Sequence, residues 1–297
     1  IRIPDLIPPD ASLSVSATVE PPGMQTVQTR TSVRITPTGL TVLTDGWTEP
    51  HPARPGETVD FACSLFDGEQ KPQQVETEAQ LVEKKWLETW LSPDGRLVSG
   101  SELARVRAEL KSPPDRPLPA PWRQLYADYV ETLVSSVHCQ SDAKGNVQVP
   151  FRIPHAGFFQ LHFQHGGKAL SPSGNELSVI AADEATTDLA VSPSYSNVLV
   201  PSSVDSSGSV PALVILPEGR SSGVIAISGE NDTVVRRFDL AGRVGWLSVD
   251  RPPRLAGGGR VVVQPFGGKI SNAAFKITDP SVRLNVTLQT TGEEAKP

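Results

Sequence analysis

Apolar and polar residues alternate along most of the chain, which is the pattern expected of half-buried β-strands. The first such region is a predicted hairpin in which residues 13–19 and 27–35 flank a turn at 21–23. Comparable runs, including 189–191, follow at intervals of roughly 8–15 residues, and turn-forming residues, including those at 144–146, lie near most of the breaks. Strands joined by such short turns pair antiparallel, because parallel strands need longer crossovers. The sequence therefore predicts an all-β fold of tandem antiparallel β-sandwiches.

One segment departs from this alternation. The apolar residues Leu103, Val106 and Leu110 are spaced three and four apart, which predicts a short helix over 101–110 with Ser101 as its N-cap. Several prolines between 113 and 121 end this helix and form a stiff connector. We expect the helix to belong to an insertion at about 92–125 within an otherwise all-β domain.

The pattern divides the chain into three predicted parts. Residues 1–36 form either the closing hairpin of an upstream sandwich or an N-terminal extension. Residues 37–183 form a sandwich that carries the insertion, and 184–297 form a second sandwich that ends at the start of a further domain. Between the two, 181–188 contains three acidic residues and no large side chain, so we expect a linker there. Because the chain begins without methionine and ends within a pattern, we expect it to be a piece of a longer protein.

Composition agrees with many turns and few helices, and it limits the partners. The 297 residues include 28 prolines and 24 glycines, and the net charge is −6. An acidic chain has no basic field that would gather phosphates, so we expect no nucleic-acid partner. No apolar run approaches the about 18 residues that a membrane-spanning helix needs, so we expect no membrane insertion.

The two cysteines, Cys63 and Cys139, lie in predicted strands and are in phase with apolar neighbours two residues away. Both side chains are therefore expected to face inward. Two alternatives are open: the cysteines can form a disulfide that closes a long loop, or they can remain free buried thiols. An inward strand position disfavours a catalytic thiol, and no cysteine and histidine spacing predicts a zinc site.

The sequence contains no motif that predicts catalysis. No Gly-x-Ser-x-Gly elbow stands between a strand and a helix, and the glycines at 257–259 precede a strand, so neither a hydrolase nucleophile nor a phosphate loop is predicted. His162 and His165 are three apart on a predicted strand, so they point to opposite faces and do not share a metal ion. We expect no enzyme activity, no cofactor and no metal site.

Tryptophans and sequons provide the candidate binding and modification residues. Four tryptophans fall in one region of the chain: Trp47, Trp86, Trp90 and Trp122. Exposed rings would form an aromatic platform for sugar or peptide, whereas a packed sandwich core explains the same residues without a ligand. Asn231 and Asn285 begin Asn-x-Thr triplets, which are glycosylation sites only if a eukaryote secretes the chain.

The order of several stretches resembles the macroglobulin domains of bacterial α2-macroglobulin-like proteins. A Pro-Gly-Glu turn at 55–57, followed by an Asp-Gly turn at 67–68, looks like the opening strand pair of such a domain. The Pro-His-Ala-Gly-Phe-Phe sequence at 154–159 looks like the turn that closes it, and 279–287 resembles the strand that starts another domain. The region around Tyr195 lacks the expected Pro-Gly-Asp turn, which is a departure from the family pattern.

The resemblance implies macroglobulin or fibronectin-like sandwiches that belong to a protease trap. The family's thioester motif, Gly-Cys-Gly-Glu-Gln, surrounds neither cysteine of this chain, so only a scaffold role carries over. The expected function is that of a non-catalytic structural fragment of a large secreted α2-macroglobulin-like protease inhibitor. Its partners would be neighbouring domains of the parent chain and, indirectly, target proteases, and its location would be extracellular, periplasmic or at the cell surface.

Two other functions fit the same sandwich pattern. One is a cell-surface adhesion or carbohydrate-binding module, which would use an exposed tryptophan platform. The other is an accessory domain of a polysaccharide hydrolase, which would need a catalytic domain elsewhere in the parent protein.

Overall fold

The structure is a computed structural model that describes residues 12–19, 27–34, 38–44, 50–174, 176–205, 208–229, 232–252, 255 and 257–278. Over these residues it contains twenty strands and one helix, so the all-β prediction is confirmed. The first two strands, β1 (Ser12–Val19) and β2 (Val27–Arg34), pair antiparallel along their full length as the predicted hairpin.

The first sandwich contains ten strands and the helix. They are β3 (Leu40–Thr44), β4 (His51–Ala53), β5 (Thr58–Asp67), β6 (Glu76–Leu91), β7 (Leu97–Ser99), α1 (Gly100–Glu109), β8 (Arg123–Gln140), β9 (Asn146–Arg152), β10 (Gly157–His165), β11 (Lys168–Gly174) and β12 (Ser178–Ala181). One layer is formed by β11, β3, β5 and β9, and the other by β4, β12, β10, β6, β8 and β7. Apolar side chains from both layers, including Phe61, Leu81 and Phe159, are fully buried between them. The alternation read from the sequence is therefore the inward and outward alternation of these strands.

The second sandwich contains eight strands in two sheets. They are β13 (Asn197–Leu199), β14 (Ser203–Asp205), β15 (Val210–Ile215), β16 (Ser222–Ser228), β17 (Thr233–Asp239), β18 (Val244–Val249), β19 (Gly258–Pro265) and β20 (Ser271–Thr278). The three-stranded sheet has the order β13-β15-β18, and the five-stranded sheet has the order β14-β20-β19-β16-β17. Val214, Ile225, Ile227 and Val261 are buried between the two sheets.

Most strand pairs are antiparallel, as expected from the short turns, but three are parallel. These are β3 with β11, β4 with β12, and β14 with β20. Each parallel pair joins strands that are far apart in sequence, so the chain between them supplies the long crossover that parallel pairing needs. Residues 189–191, which the alternation predicted as a strand, form no strand and instead pack their apolar side chains inward.

A long two-stranded arm carries the insertion. Strand β8 pairs with β6 from Glu76 to Leu91, whereas β10 pairs only with residues 78–84 of β6, so the rest of the arm extends past the sandwich. The insertion closes a small core of its own around Trp90, Val98, Leu103 and Leu118. Because that core lies at the end of the arm, it stabilises a region that the sandwich does not cover.

The predicted helix exists, but its predicted cap is wrong. The helix begins at Gly100, the N-cap position is Ser99, and no side chain caps it, so Ser101 lies inside the first turn. Its stability comes from packing and from a buried ion pair, because Arg107 Nη2 lies 2.7 Å from Glu88 Oε1 of β6. The same guanidinium donates to the Arg116 carbonyl at 2.7 Å, which secures the proline-rich stretch against the helix. With ten residues, this helix is too short to cross a membrane, and the described part of the chain contains no other helix.

Candidate functional site: the junction between the sandwiches

A shared apolar cluster joins the two sandwiches. It contains eight buried residues of the described chain: Ile180, Ala182, Leu189, Val191, Leu199, Leu213, Ile215 and Val244. They come from β12, from the segment that follows it, and from β13, β15 and β18 of the second sandwich. The three-stranded sheet is therefore covered on both faces, by its own partner sheet on one side and by the first sandwich on the other. Burial of this kind stabilises a fixed arrangement, because separating the sandwiches would expose the cluster to water.

Trp246 of β18 anchors one side of the junction. Its indole Nε1–H donates to the Ala182 carbonyl at 2.8 Å, and the Arg54 guanidinium lies over its ring at 5.1 Å. Arg54 also forms an ion pair with Glu184, and this pair lowers the pKa of the Glu184 carboxyl. Residues from the first sandwich, the connecting segment and the second sandwich thus converge on one side chain.

Arg243 anchors the other side. Its side chain is only 6% exposed, and its Nη2 donates to the Val191 carbonyl at 3.1 Å and to the Ser192 carbonyl at 3.4 Å. Its Nε lies 2.9 Å from the Asp188 carboxylate, an ion pair that lacks hydrogen-bond geometry. A buried guanidinium requires such partners, because an unpaired charge would be strongly destabilising there.

Main-chain bonds hold the connecting segment from both sides. The backbone N–H of Trp86, in the arm, donates to the Ala190 carbonyl at 2.7 Å, and the Tyr129 hydroxyl accepts from the N–H of Ser192 at 3.2 Å. From the second sandwich, the N–H of Glu218 donates to the Pro193 carbonyl at 2.8 Å. The predicted linker, 181–188, is therefore followed by residues 190–193, which are hydrogen-bonded to both sandwiches.

Two titratable groups of the junction have raised pKa values. Burial raises the pKa of the Tyr129 hydroxyl, and the hydrogen bond from Ser192 opposes this shift. Burial also raises the pKa of the Glu218 carboxyl, Arg243 opposes the shift, and Asp188 adds to it. The junction thus favours the neutral form of both groups.

A groove of about 300 Å³ lies beside the junction. It is lined by side chains of the arm, the insertion and the connecting segment, among them Trp86, Trp90, Pro114 and Pro193. The Trp86 Nε1–H is buried and has no hydrogen-bond partner among the described residues. Indole and proline side chains give this groove apolar walls against which a small ligand could pack.

The predicted tryptophan set is divided by the fold. Trp90 is only 2% exposed and packs with Trp122 in the insertion core, whereas Trp86 packs edge-on against Tyr129 at a ring distance of 5.2 Å. Among the described tryptophans, Trp86 and Trp90 line one groove rather than an open surface. Trp47 lies outside the described residues, as do the candidate glycosylation sites Asn231 and Asn285.

Both cysteines belong to the first core, as expected for inward positions. Cys63 is buried, and Cys139 packs against the same cluster with its Sγ 3.2 Å from Thr77 Oγ1. Burial, with the neighbouring Cys139 thiol, raises the pKa of Cys63 to about 12. Both are free thiols in the structure, and their pairing under oxidising conditions stays a prediction. A thiol with so high a pKa is a poor nucleophile at neutral pH.

The histidines lie on separate parts of the first sandwich. His162 faces Glu131 at 3.7 Å, and the His165 ring lies against the Glu76 carbonyl at 2.7 Å. Within the described ranges, no group of three or more histidine, cysteine, aspartate or glutamate side chains could hold a metal ion.

Known proteins offer only distant likenesses. No protein-family model matches the chain, and no curated protein is significantly similar to it in sequence. The solved structure of native Escherichia coli alpha-2-macroglobulin is 12% identical, covers 91% of this chain and 17% of its own, and has a TM-score of 0.32. A mutant Salmonella alpha-2-macroglobulin is 11% identical, with 94% and 18% covered and a TM-score of 0.32. The adhesin InvE of Yersinia pseudotuberculosis is 11% identical, with 82% and 59% covered and a TM-score of 0.22. The chain spans less than a fifth of the length of these macroglobulins. Structural similarity at such low TM-scores assigns it neither a family nor a function.

Proposed function

We propose that the chain is a non-catalytic scaffold segment of a large secreted α2-macroglobulin-like protease inhibitor, in which it holds two β-sandwiches in a fixed relation. The observation that carries the proposal is the shared apolar cluster of the junction. Domains that move independently are joined by exposed, flexible linkers with few contacts across them. Here the connecting segment contributes Leu189 and Val191 to the cluster and bonds to both sandwiches.

The macroglobulin part of the proposal rests on the order of the sequence stretches quoted above. In that role the sandwiches would contact neighbouring domains of the parent chain, and target proteases only indirectly. The chain would lie outside the cell, in the periplasm or at the cell surface. No residue is assigned a catalytic role, because the groups with raised pKa values belong to the packing of the junction and of the first core.

A distance measurement tests the scaffold. Lys168 and Asn272, which are exposed on different sandwiches, are replaced by spin-labelled cysteine in a Cys63→Ala, Cys139→Ser background. Double electron–electron resonance is expected to give one narrow distance distribution. Trp246→Ala with Arg243→Met is expected to broaden it. A broad distribution with the junction intact and unchanged circular dichroism would contradict the scaffold role.

The parent gene tests the macroglobulin assignment separately. The expected finding is a signal peptide and, downstream of this segment, a Gly-Cys-Gly-Glu-Gln motif. A glycosidase domain or a membrane-anchored adhesin in their place would overturn the assignment while leaving the scaffold measurement valid.

The groove beside the junction supports a second candidate function, that of a ligand-binding module. The supporting observation is the groove of about 300 Å³ with Trp86, Trp90, Pro114 and Pro193 in its walls. Titration with oligosaccharides and with proline-rich peptides, followed by tryptophan fluorescence, tests it. Saturable binding that Trp86→Phe abolishes would support this function, and an unchanged signal at millimolar ligand would contradict it.

A further inference from the structure

The outer face of the five-stranded sheet has an apolar centre. Strand registers place Val262, Ala226 and Val235 side by side across β19, β16 and β17, with Asn272 of β20 at the end of this row. The side chains that alternate with them, such as Ile225 and Val261, fill the core of the second sandwich. A solvent-facing sheet surface normally carries polar residues. Val235, in contrast, is 61% exposed, so this face lacks the polar cover expected of it.

Cations surround that centre. Arg260 lies in the neighbouring row on one side, Arg237 lies in the row on the other side, and Lys276 lies beyond Arg260 along β20. The paired positions of these three rows carry no acidic residue, and two outward acids of the same sheet, Asp239 of β17 and Asp205 of β14, lie just beyond them. Arg237 is paired with Asp239 at 3.5 Å, whereas Arg260 and Lys276 have no ion pair within the described residues. Although the chain has a net charge of −6, two cations of this face, Arg260 and Lys276, thus form no ion pair in the described part of the chain.

Phe266 extends the patch at the end of β19. Its ring is 43% exposed, and the Arg237 guanidinium lies 5.4 Å from the ring centre. Arginine and aromatic side chains are enriched in the centres of protein interfaces, whereas lysine and glutamate are depleted there. Phe266 and Arg237 therefore give this end of the face the side-chain types that protein interfaces favour.

We propose that this outer face binds an acidic protein surface with an apolar centre, with carboxylates opposite Arg260 and Lys276 and apolar side chains against Val235 and Val262. The charge complementarity carries the choice of partner, because cations that form no ion pair among the described residues gain most from carboxylates brought by a second protein. A nucleic acid would use the cations but would leave the valine row uncovered. The proposal does not depend on the junction or on the scaffold role.

A designed probe tests the proposal with the full chain. The probe is an 18-residue fluorescent helical peptide with a leucine stripe flanked by glutamates, and its binding is followed by anisotropy at low and high salt. Arg260→Glu with Lys276→Glu is expected to weaken binding by at least about tenfold, and Val235→Glu by a similar factor. The matched control, Lys144→Glu with Lys168→Glu, makes the same charge change on the first sandwich and is expected to alter binding less than about twofold. All substituted residues are exposed, and circular dichroism verifies the fold.

Four results would overturn the proposal. Equal weakening by the control pair would show that only net charge matters. Equal binding of a peptide with lysine in place of glutamate, or displacement of the probe by an oligonucleotide at the same concentration, would remove the acidic protein partner. A dimer of the chain alone that dissociates with Val235→Glu in sedimentation would assign the face to a second copy.

Discussion

The junction and the outer face are built from similar residues of the second sandwich, yet only the junction is closed. At the junction, Leu213 and Val244 are covered by the first sandwich, and the Arg243 guanidinium is enclosed by carbonyls of the connecting segment. At the outer face, Val235 and Arg260 are exposed, and Arg260 has no acidic partner in the described part of the chain. The difference separates a surface where the chain covers and pairs its own apolar and charged groups from a surface where such groups remain exposed.

The largest expected difference concerns apolar truncation. Leu213→Ala should lower the free energy of unfolding by about 2–5 kcal/mol, because it leaves a cavity in a fully buried cluster. Val235→Ala, on the outer face, should change it by less than about 0.5 kcal/mol. Urea denaturation of both variants measures this contrast. Equal losses of stability would mean that Leu213 and Val235 are buried to the same extent.

Replacing the buried Arg243 should likewise lower stability more than replacing the exposed Arg260. Arg243→Met should cost about 1–3 kcal/mol, because the carbonyls of Val191 and Ser192 lose a buried donor. Arg260→Met, the matched control, should be nearly neutral. Thermal unfolding of the pair tests this, and a destabilisation by Arg260→Met as large as that by Arg243→Met would be inconsistent with an exposed, unpaired side chain.

A glycine at the junction gives a smaller steric test. A Cβ at Gly242 would lie 2.3 Å from the Thr187 carbonyl oxygen, so Gly242→Ala must push the connecting segment away. The expected cost is about 1–2 kcal/mol, together with a broader distribution between the spin labels on the two sandwiches. Gly208→Ala is the control, since nothing lies within 4 Å of its Cβ position. Unchanged stability in both variants would indicate that the segment is not held closely.

The smallest effect is expected from pH. Because the pKa of Glu218 is raised above 4.5, folding favours its protonated form. This contribution is present below pH 4.5 and is lost as the pH rises through the folded-state pKa. Glu218→Gln should therefore match the wild type in acid and be slightly more stable at neutral pH, with solvent screening keeping the effect small.

Glu184 serves as a control because its pKa is shifted in the opposite direction, so its effect on stability has the opposite pH dependence. Arg54 lowers the pKa of its carboxyl, so its contribution is present at neutral pH and is lost as the pH falls below 4.5. Urea midpoints between pH 3 and 8 for Glu218→Gln and Glu184→Gln should thus diverge from the wild type in opposite directions. Parallel behaviour would contradict the assigned causes of the two shifts.

The helix and the strands could be predicted from the sequence because each depends on the spacing of residues that are close together in the chain. The spacing of Leu103 and Val106 was sufficient to place the helix, and the turn at 144–146 fits the positive φ of Gly145 between β8 and β9. The N-cap prediction was wrong because two serines, Ser99 and Ser101, lie at the start of the helix. Neither forms the side-chain hydrogen bond that would mark the N-cap.

The junction could not be predicted in the same way. Alternation shows that a residue is half-buried but not which surface buries it, so it predicts a strand at Leu189 and Val191 where the structure has none. Arg243 and Trp246 have no local signal, since their partners are more than fifty residues earlier in the chain. The apolar run 224–227 likewise conceals the outer face, because Ile225 and Ile227 point inward while Val224 and Ala226 point outward.

The hydrogen bonds of residues 190–193 to both sandwiches also determine how the chain would carry tension. The Ala190 carbonyl is bonded to the arm, and the Pro193 carbonyl is bonded to the second sandwich three residues later. A pulling force applied to the ends of the chain would have to break these hydrogen bonds and separate the apolar cluster around them at the same time. The junction would then transmit a load from one sandwich to the other with little extension of its own, as a stiff coupling rather than a tether.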